Sequence, residues 1–518
     1  MAAPSAAVFD RLRNLAAIED IAARPTRPVV EVFTGKQMAT IPVGTAADVE
    51  AAFAKARAAQ VEWAKRPVGD RIKIIERYRD LVIKNSEFLM DLLQAEAGKA
   101  RWAAQEELID LIANPNYYAR VSADLLKPQK VQGLLPAIGK TTVVHQPKGV
   151  VGVISPWNYP MTLTASDSVP ALIAGNAVVV KPDSQTPYCG LACAELLYQA
   201  GLPRDLYAIV PGPGSVVGTA ILEHCDYLMF TGSTETGRHL AEQAGRRLIG
   251  FSAELGGKNA MIVTRGANLD KVAKAATRAC FSNAGQLCIS IERIYIEKDI
   301  ADEFTAKFGA AVRNMKLGTA YDFSADMGSL ISEGQLETVT AHVEDAKSKG
   351  AKVIAGGKAR PDVGPLFYEP TVLADVTPEM VCAETETFGP LVSIYPVADV
   401  DEAVEKANDT EYGLNASVWA ASTGEGEKIA ARLRSGTVNV DEGYAFAWGS
   451  LSAPMGGMGV SGVGRRHGPE GLLKYTEAQT IATARVLNLD PPFGLPPTLW
   501  QKSLLPIVQT VMKLPGRT

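Results

Sequence analysis

The chain has 518 residues, of which 47% are hydrophobic and 21% are charged, and its formal net charge is −5 at pH 7. This length predicts two or three domains with cores of ordinary globular composition. The slightly acidic balance argues against a polyanion-binding surface, so we expect no nucleic-acid partner.

Six cysteines and five histidines are scattered along the chain. They do not repeat at metal-ligand spacing and do not form a disulfide framework, so we expect no metal site. The N-terminal segment carries acidic residues and lacks the long apolar core of a secretory signal. No run approaches the roughly 20 apolar residues that cross a bilayer. We therefore expect a cytoplasmic protein.

The N-terminal region is predicted to be mainly helical. Thr45 and Asp48 form a capping-box pattern that opens a helix through Lys65. Further helices are predicted at 69–98 and 101–125. This region shows amphipathic faces but no obvious chemistry.

From residue 149 onward, strand and helix patterns alternate. The predicted strands lie within 149–156 and at 177–181, 206–210, 227–230, 261–263, 293–296, 352–355, 392–397 and 438–440. Helix-connected strands imply right-handed crossovers and parallel sheets covered on both faces. We predict an α/β fold with two Rossmann-like parallel-sheet domains and a small β element.

Polar residues follow several predicted strands, and open parallel sheets bind ligands beyond the carboxyl ends of their strands. Asn158 follows the first strand and is placed to donate its amide to a developing oxyanion, or is simply a turn asparagine. Lys181 ends the next strand and suits ribose hydroxyls or a phosphate. Residues 230–237 open a helix whose N-terminal amides attract anions, although their glycine spacing matches neither the Rossmann fingerprint nor a P-loop.

Three further residues carry candidate chemistry. Glu254 lies among apolar residues and glycines, which suits a general base, and the alternative is a capping or salt-bridged glutamate. Glu386 precedes a turn and suits sugar hydroxyls. Cys288 is expected at a loop-to-helix junction, either as a nucleophile or as a small buried hydrophobe. A nucleophilic role requires a base, backbone amides or a helix N-terminus that favours the thiolate.

These motifs together resemble the aldehyde dehydrogenase superfamily over residues 25–485. In chain order they are P-W-N-Y-P at 156–160, Lys-Pro at 181–182, F-T-G-S-x-x-x-G at 230–237, E-L-G-G-K at 254–258, G-Q-x-C at 285–288 and E-x-F-G-P at 386–390. The resemblance implies that Cys288 attacks an aldehyde and that Asn158 and the Cys288 amide stabilise the oxyanion. Hydride loss to a nicotinamide then gives a thioester, and Glu254 activates the water that hydrolyses it.

The resemblance also implies the cofactor site. Its expected residues are Trp157, Lys181, Ser184, Gly232, Ser233, Gly237, Glu386 and Phe388. Lys181 and Glu386 would bind the two riboses. Members that prefer NAD commonly have an acid three residues after the lysine, where this chain has Ser184. A neutral residue there does not repel a 2′-phosphate, so we expect NADP, with NAD as the alternative.

Within the superfamily, the whole-chain pattern is most similar to the second type of bacterial NADP-dependent succinate-semialdehyde dehydrogenases. This similarity implies oxidation of succinate semialdehyde to succinate. However, Ser166 and Ser282 stand where such enzymes place carboxylate-binding arginines, and Ser290 stands in place of a redox-switch cysteine. The open alternatives are another small aliphatic or aromatic aldehyde, a CoA-acylating enzyme, against which Glu254 argues, and a non-catalytic member.

Three arginines are candidates to replace the missing pair, namely Arg293, Arg465 and Arg466. The sequence does not place them.

The resemblance suggests a domain division and an assembly. We expect 1–137 and 150–253 to form the cofactor-binding domain, 254–475 the catalytic domain, 138–149 and 476–490 the oligomerisation strands, and 491–518 a Pro-rich tail. Because exposed strand edges need covering, we expect a homodimer or homotetramer. The tail has one apolar helical face, which we expect to pack against protein rather than to contact a membrane.

Overall fold

The computed structural model describes residues 3–132, 139–484 and 490–513. The predicted cofactor-binding domain, oligomerisation strands and tail also include residues 1–2, 133–138, 485–489 and 514–518, which lie outside the described part of the chain.

The first sheet has six strands. In spatial order they are Gly462–Val463, Gly250–Glu254, Tyr227–Thr231, Val150–Ile154, Ala177–Lys181 and Tyr207–Ile209. All neighbours are parallel except the short strand Gly462–Val463, which is antiparallel. Four of these strands, Tyr227–Thr231, Val150–Ile154, Ala177–Lys181 and Tyr207–Ile209, are buried on both faces, which explains their near-continuous apolar sequences.

The second sheet has seven strands. In spatial order they are Lys352–Ala355, Thr371–Ala374, Leu391–Val397, Ile291–Glu297, Asn259–Val263, Asn415–Trp419 and Thr437–Val440. Only the first of these is antiparallel to its neighbour among the described pairings. The predicted α/β fold with two parallel sheets is therefore confirmed.

Two small antiparallel sheets contain the other described strands. One is the hairpin Thr26–Glu31 and Lys36–Pro42. The other, which we call the small sheet, consists of Thr476–Ala484, Gly139–Pro147 and Gln129–Val131 in that order. Most of its residues face solvent.

Helices cover the large sheets on both faces. Those of the first half are Ala6–Arg13, Ala46–Lys65, Val68–Lys84, Ser86–Ala97, Arg101–Leu126, Pro160–Ala165, Ser168–Ile173, Pro187–Gln199, Thr219–His224 and Thr234–Arg247. Those of the second half are Leu269–Phe281, Lys298–Arg313, Glu333–Ser348, Val381–Glu384, Val400–Asn408, Thr423–Ala430, Ala445–Gly449, Gly468–Leu473 and Pro497–Met512. Short 3₁₀ or π turns lie at Ile21–Ala23, Arg204–Leu206, Gly214–Gly218, Ser282–Gly285, Gly459–Ser461 and Pro492–Gly494. Among the helices described, none is long and apolar enough to cross a membrane.

Some elements differ from the sequence prediction. The helix predicted at 69–98 is two helices that meet at Asn85, whose side chain donates to the Leu81 carbonyl at 2.7 Å. The expected division at residue 254 stays a prediction. It does not follow the sheets throughout, because Gly462–Val463 joins the first sheet and Leu472 packs into its core.

The two large sheets meet at the candidate site. Glu254 ends a strand of the first sheet, and Asn259 begins an interior strand of the second sheet. Cys288 lies just before strand Ile291–Glu297. The carboxyl ends of the first sheet therefore face the amino ends of the second sheet. After strand Val150–Ile154 the chain adds Ala177–Lys181 and Tyr207–Ile209 on one side and then returns to add Tyr227–Thr231 on the other side. The strand order therefore reverses at Val150–Ile154, and ligands bind at such points in doubly wound sheets.

Candidate active site

The loop before Cys288 has an uncommon, left-handed backbone conformation. Asn283, Ala284 and Gly285 have consecutive φ angles of 51°, 56° and 71°. A Cβ atom on Gly285 would lie 2.1 Å from the carbonyl oxygen of Gly389, so only glycine fits. Such strain persists only where surrounding contacts hold it, and it clusters at functional sites.

Gln286 supplies those contacts. Its buried side chain donates to the carbonyl of Asn283 at 3.0 Å and to that of Ser329 at 3.3 Å, and it accepts from the Ile331 amide at 2.9 Å. Gln286 belongs to the G-Q-x-C motif, but its structural role was not predicted from the sequence. The hydrogen bonds identify Gln286 as the anchor of the loop.

Asparagines fix the other side of the loop. Asn259 donates to the carbonyls of Cys288 and Ser290, both at 2.7 Å, and accepts from the Asn415 amide at 2.9 Å. Asn415 donates in turn to the Ile289 carbonyl at 2.9 Å. The backbone of residues 288–290 is thus hydrogen-bonded to the first residues of two strands.

The prediction that Cys288 lies at a loop-to-helix junction is wrong, because its turn leads into strand Ile291–Glu297. The Cys288 side chain is half-buried, whereas the other five cysteines are buried. Burial, together with the Glu254 and Glu386 carboxylates, raises the pKa of Cys288 to about 12. The resting thiol is therefore protonated at neutral pH.

Asn158 lies next to this loop. Its side-chain amide donates to the Gln286 carbonyl at 3.1 Å, and its own carbonyl accepts from the Asn283 side chain at 3.1 Å. One of the two amide hydrogens of Asn158 serves the Gln286 carbonyl, which leaves the second for a ligand. Asn158 and Cys288 line the same cavity.

The rest of that cavity is mainly apolar and aromatic. Its other lining residues are Tyr159, Thr162, Leu163, Leu287, Ile289, Tyr444, Trp448, Met455 and Arg466. Lys99 fixes the Tyr159 ring, since its ammonium lies 3.4 Å from the ring centroid and 2.8 Å from the Glu107 carboxylate. Tyr444 and Trp448 were not predicted as site residues, because neither lies in a motif of the sequence.

Glu254 is 4% exposed, and burial raises its pKa to about 7, although Arg466 and Lys474 act in the opposite direction. Within the residues described, its carboxylate has no hydrogen-bond or ion-pair partner. Among the described residues, Glu254 therefore neither forms a salt bridge nor caps a helix. Its charge nevertheless acts on Cys288, because it raises the pKa of that thiol.

Glu386 lies against the glycines that follow Glu254. Its carboxylate accepts from the Gly257 amide at 2.9 Å, and a Cβ atom on Gly256 would lie 2.3 Å from it. Burial raises the pKa of Glu386 to about 8, with a contribution from Glu292. The E-L-G-G-K glycines therefore let the backbone approach this carboxylate.

Two aromatic residues of the predicted cofactor set contact each other. The rings of Trp157 and Phe388 are edge to face, 5.5 Å apart and at 88°. The Phe388 amide donates to the buried Glu292 carboxylate at 3.0 Å, and its φ is 52°. This contact joins the P-W-N-Y-P and E-x-F-G-P motifs in space.

Lys181 and Ser184 follow strand Ala177–Lys181. The Lys181 ammonium is 5% exposed and donates to the Pro182 carbonyl at 3.0 Å, and burial lowers its pKa. Ser184 donates to the Gly212 carbonyl at 3.2 Å.

The loop 230–237 opens a long helix, as predicted. Ser233 is the N-cap of helix Thr234–Arg247, and its hydroxyl accepts from the Thr236 amide. A Cβ atom on Gly237 would lie 2.5 Å from Leu255. The Gly232 amide donates to the Glu254 carbonyl at 3.1 Å, so this loop and the Glu254 strand end are joined directly.

The two serines at the expected arginine positions face carboxylates. Ser166 donates to Asp110 at 2.5 Å, and Ser282 donates to Glu106 at 3.2 Å. Both carboxylates lie one turn apart on helix Arg101–Leu126. Neither serine position therefore offers a positive charge to a substrate.

Among the residues described, no group of three or more His, Cys, Asp or Glu side chains is placed to hold a metal ion.

Comparison with known proteins adds to this geometry. A protein of Mycobacterium tuberculosis H37Rv, provisionally named succinate-semialdehyde dehydrogenase [NADP(+)] 2, is 84% identical over 517 residues, with all of both chains covered. A similarly named Mycolicibacterium smegmatis protein is 73% identical over the same length. An aldehyde dehydrogenase of Enchytraeus buchholzi is 36% identical, covering 88% of this chain and 92% of its own.

Solved structures share the fold. A crystal structure of an Escherichia coli NADP-dependent enzyme has a TM-score of 0.85 at 32% identity, covering 89% of this chain and 95% of its own. An NAD+ complex of a Bacillus cereus aldehyde dehydrogenase has a TM-score of 0.84 at 32% identity, covering 89% and 93%. Residues 21–481 match the aldehyde dehydrogenase family. The chain belongs to the aldehyde dehydrogenase family.

Proposed function

We propose that this enzyme oxidises succinate semialdehyde to succinate with NADP+, through a covalent intermediate on Cys288. The observation that carries the proposal is that Cys288 and Asn158 line one cavity. The Glu254 carboxylate, which has no hydrogen-bond or ion-pair partner in the described part of the chain, acts electrostatically on the Cys288 thiol. The names of the mycobacterial relatives support the substrate and the cofactor.

In the proposed reaction, the Cys288 thiol releases its proton to solvent as its sulfur bonds to the aldehyde carbon. The free amide hydrogen of Asn158 and the Cys288 backbone amide donate to the oxyanion that forms. Lys181, Glu386 and the N-terminus of helix Thr234–Arg247 would hold a nicotinamide dinucleotide, which would supply the hydride acceptor, and Cys288 would then carry the acyl group as a thioester. Glu254 takes a proton from the water that attacks the thioester, and the acid leaves as the thiol is restored.

The residues around the switch point fit a dinucleotide. The buried Lys181 ammonium has one carbonyl partner and suits ribose hydroxyls, while the N-terminus of helix Thr234–Arg247, with Gly232, Ser233 and Gly237, suits a pyrophosphate. Glu386 would accept from the nicotinamide ribose, and the Trp157–Phe388 pair would flank the cofactor. Ser184 places no negative charge near a 2′-phosphate, which favours NADP over NAD.

We further propose a homodimer or homotetramer that assembles through the small sheet and works in the cytoplasm. The solvent-facing strand Thr476–Ala484 supports the assembly, because an exposed sheet edge is usually covered. The six cysteines, all unpaired, suit a reducing compartment.

Steady-state kinetics test the proposal. Succinate semialdehyde, butanal and benzaldehyde are each oxidised with NADP+ and with NAD+, and we expect the highest kcat/KM for succinate semialdehyde with NADP+. Cys288→Ala should abolish oxidation, whereas Cys382→Ala, at a buried cysteine outside the cavity, should retain it. Equal rates with benzaldehyde, or product release that requires CoA, would contradict the proposal.

A further inference from the structure

Arg466 occupies a fixed place in the wall of the Cys288 cavity. Its side chain is 6% exposed, and its guanidinium forms an ion pair with the buried Asp167 at 2.7 Å. Its backbone amide and carbonyl both bond to Met455, at 2.7 and 2.8 Å. The backbone contacts fix the position of residue 466, and the ion pair with Asp167 orients its guanidinium.

Part of this guanidinium has no partner. Its Nε atom is buried and makes no hydrogen bond to any residue that the structure describes. A guanidinium has five N–H donors, and buried donors without acceptors are costly. The charged groups around it are Asp167, Glu254, Lys474 and Asp110, which interact with it or with one another electrostatically. A ligand with an acceptor group would satisfy the free donor.

The other candidate arginines are already used by the fold. Arg293, in strand Ile291–Glu297, donates to the carbonyls of Lys258, Lys406 and Ala407. Arg465 donates to the Gly457 and Gly464 carbonyls. Of the lining residues that the structure describes, Arg466 is the one cation in the cavity.

We propose that Arg466 binds the distal carboxylate of a short aldehyde acid and thereby selects it over uncharged aldehydes. This inference rests on the proposed function and identifies how its substrate class is recognised. Carboxylates pair with guanidinium in fixed, charge-assisted geometry. With the aldehyde carbon at Cys288, a four-carbon chain would place the carboxylate toward Arg466, while the aromatic walls exclude water. Asp167 would orient the guanidinium without occupying its free edge.

Kinetics with two aldehydes of equal length test this role. For Arg466→Met, both aldehydes lose the effect of the guanidinium on Cys288 and Glu254. We therefore expect the ratio of kcat/KM for succinate semialdehyde to kcat/KM for butanal to fall at least about 30-fold, mainly through KM for the acid, because only the acid also loses a charged hydrogen bond. Arg466→Lys should recover part of the loss. Arg465→Met is the matched control, and its effect on the two aldehydes should be equal and small.

A second measurement uses the wild-type enzyme, so it does not depend on the folding of a variant. Succinate should slow alkylation of Cys288 by iodoacetamide, and butanamide should not. An equal loss with both aldehydes in Arg466→Met, or equal protection by the two compounds, would overturn the role of Arg466. A wild-type enzyme that oxidises butanal as efficiently as succinate semialdehyde would instead overturn the proposed substrate.

Discussion

The charge on Glu254 controls the last step of the proposed reaction. Burial raises the pKa of Glu254 to about 7. The fraction of Glu254 in the ionised, basic form therefore decreases as the pH falls below 7, and Glu254 is almost fully ionised above pH 8. We expect kcat to fall about tenfold per pH unit below this pKa when hydrolysis limits turnover. The initial burst of NADPH formation, which precedes hydrolysis, should not follow that limb. Both are measured by stopped-flow absorbance between pH 5.5 and 9.

Glu254→Gln separates the two steps directly. The variant should retain an NADPH burst of about one equivalent per active site, while its steady-state turnover falls at least about 100-fold. Glu427→Gln, at an exposed glutamate of helix Thr423–Ala430, is the control and should behave as wild type. A Glu254→Gln enzyme with normal turnover would remove this residue from the mechanism.

Ser184 is the residue on which cofactor preference is expected to depend. A carboxylate introduced as Ser184→Glu would repel a 2′-phosphate and accept from a free 2′-hydroxyl. We expect kcat/KM for NADP+ to fall at least about tenfold, while that for NAD+ is unchanged or higher. The same kinetics on Ser184→Ala isolate the loss of the hydroxyl. Unchanged preference in Ser184→Glu would show that this position does not face the adenosine ribose.

At the scale of elements, the loop 283–286 determines where the nucleophile lies. Gly285→Ala would place a Cβ in a left-handed conformation and against the Gly389 carbonyl. We expect a loss of about 3 kcal/mol in the free energy of unfolding and a larger loss of kcat. Gly424→Ala is the control, because a Cβ there meets open space in a helix and alanine favours helices. Urea unfolding measures the loss of stability, and activity assays measure the loss of kcat.

The elements that sequence patterns predicted are those whose stability comes from apolar burial. Strand Ala177–Lys181 is one example, since its valines fill both faces of the first sheet. Strand Asn415–Trp419 was missed because its buried asparagine and serine are stabilised by hydrogen bonds to distant residues. The place of Arg466 was equally hidden, since its partner Asp167 lies in a distant part of the sequence.

At the scale of the whole molecule, the site requires both large sheets. The first sheet contributes the strand ends of Asn158 and Glu254, and the second contributes the asparagine-anchored turn of Cys288. The strand Gly462–Val463 crosses back and pairs with Gly250–Glu254, which brings Arg466 to the same cavity. Cys288 and Glu254 are therefore positioned by different sheets.

The small sheet gives a test of assembly. Ile481 lies on its outer strand and is 47% exposed, so the proposed interface would bury an apolar side chain. Ile481→Asp would place a charge in that contact, and we expect the particle mass in light scattering to fall toward the 55.1 kDa of one chain. Phe323→Asp is the matched control, because Phe323 is 56% exposed and lies outside the small sheet. If Ile481→Asp keeps the wild-type mass, or if both variants dissociate equally, the small sheet is not the specific interface.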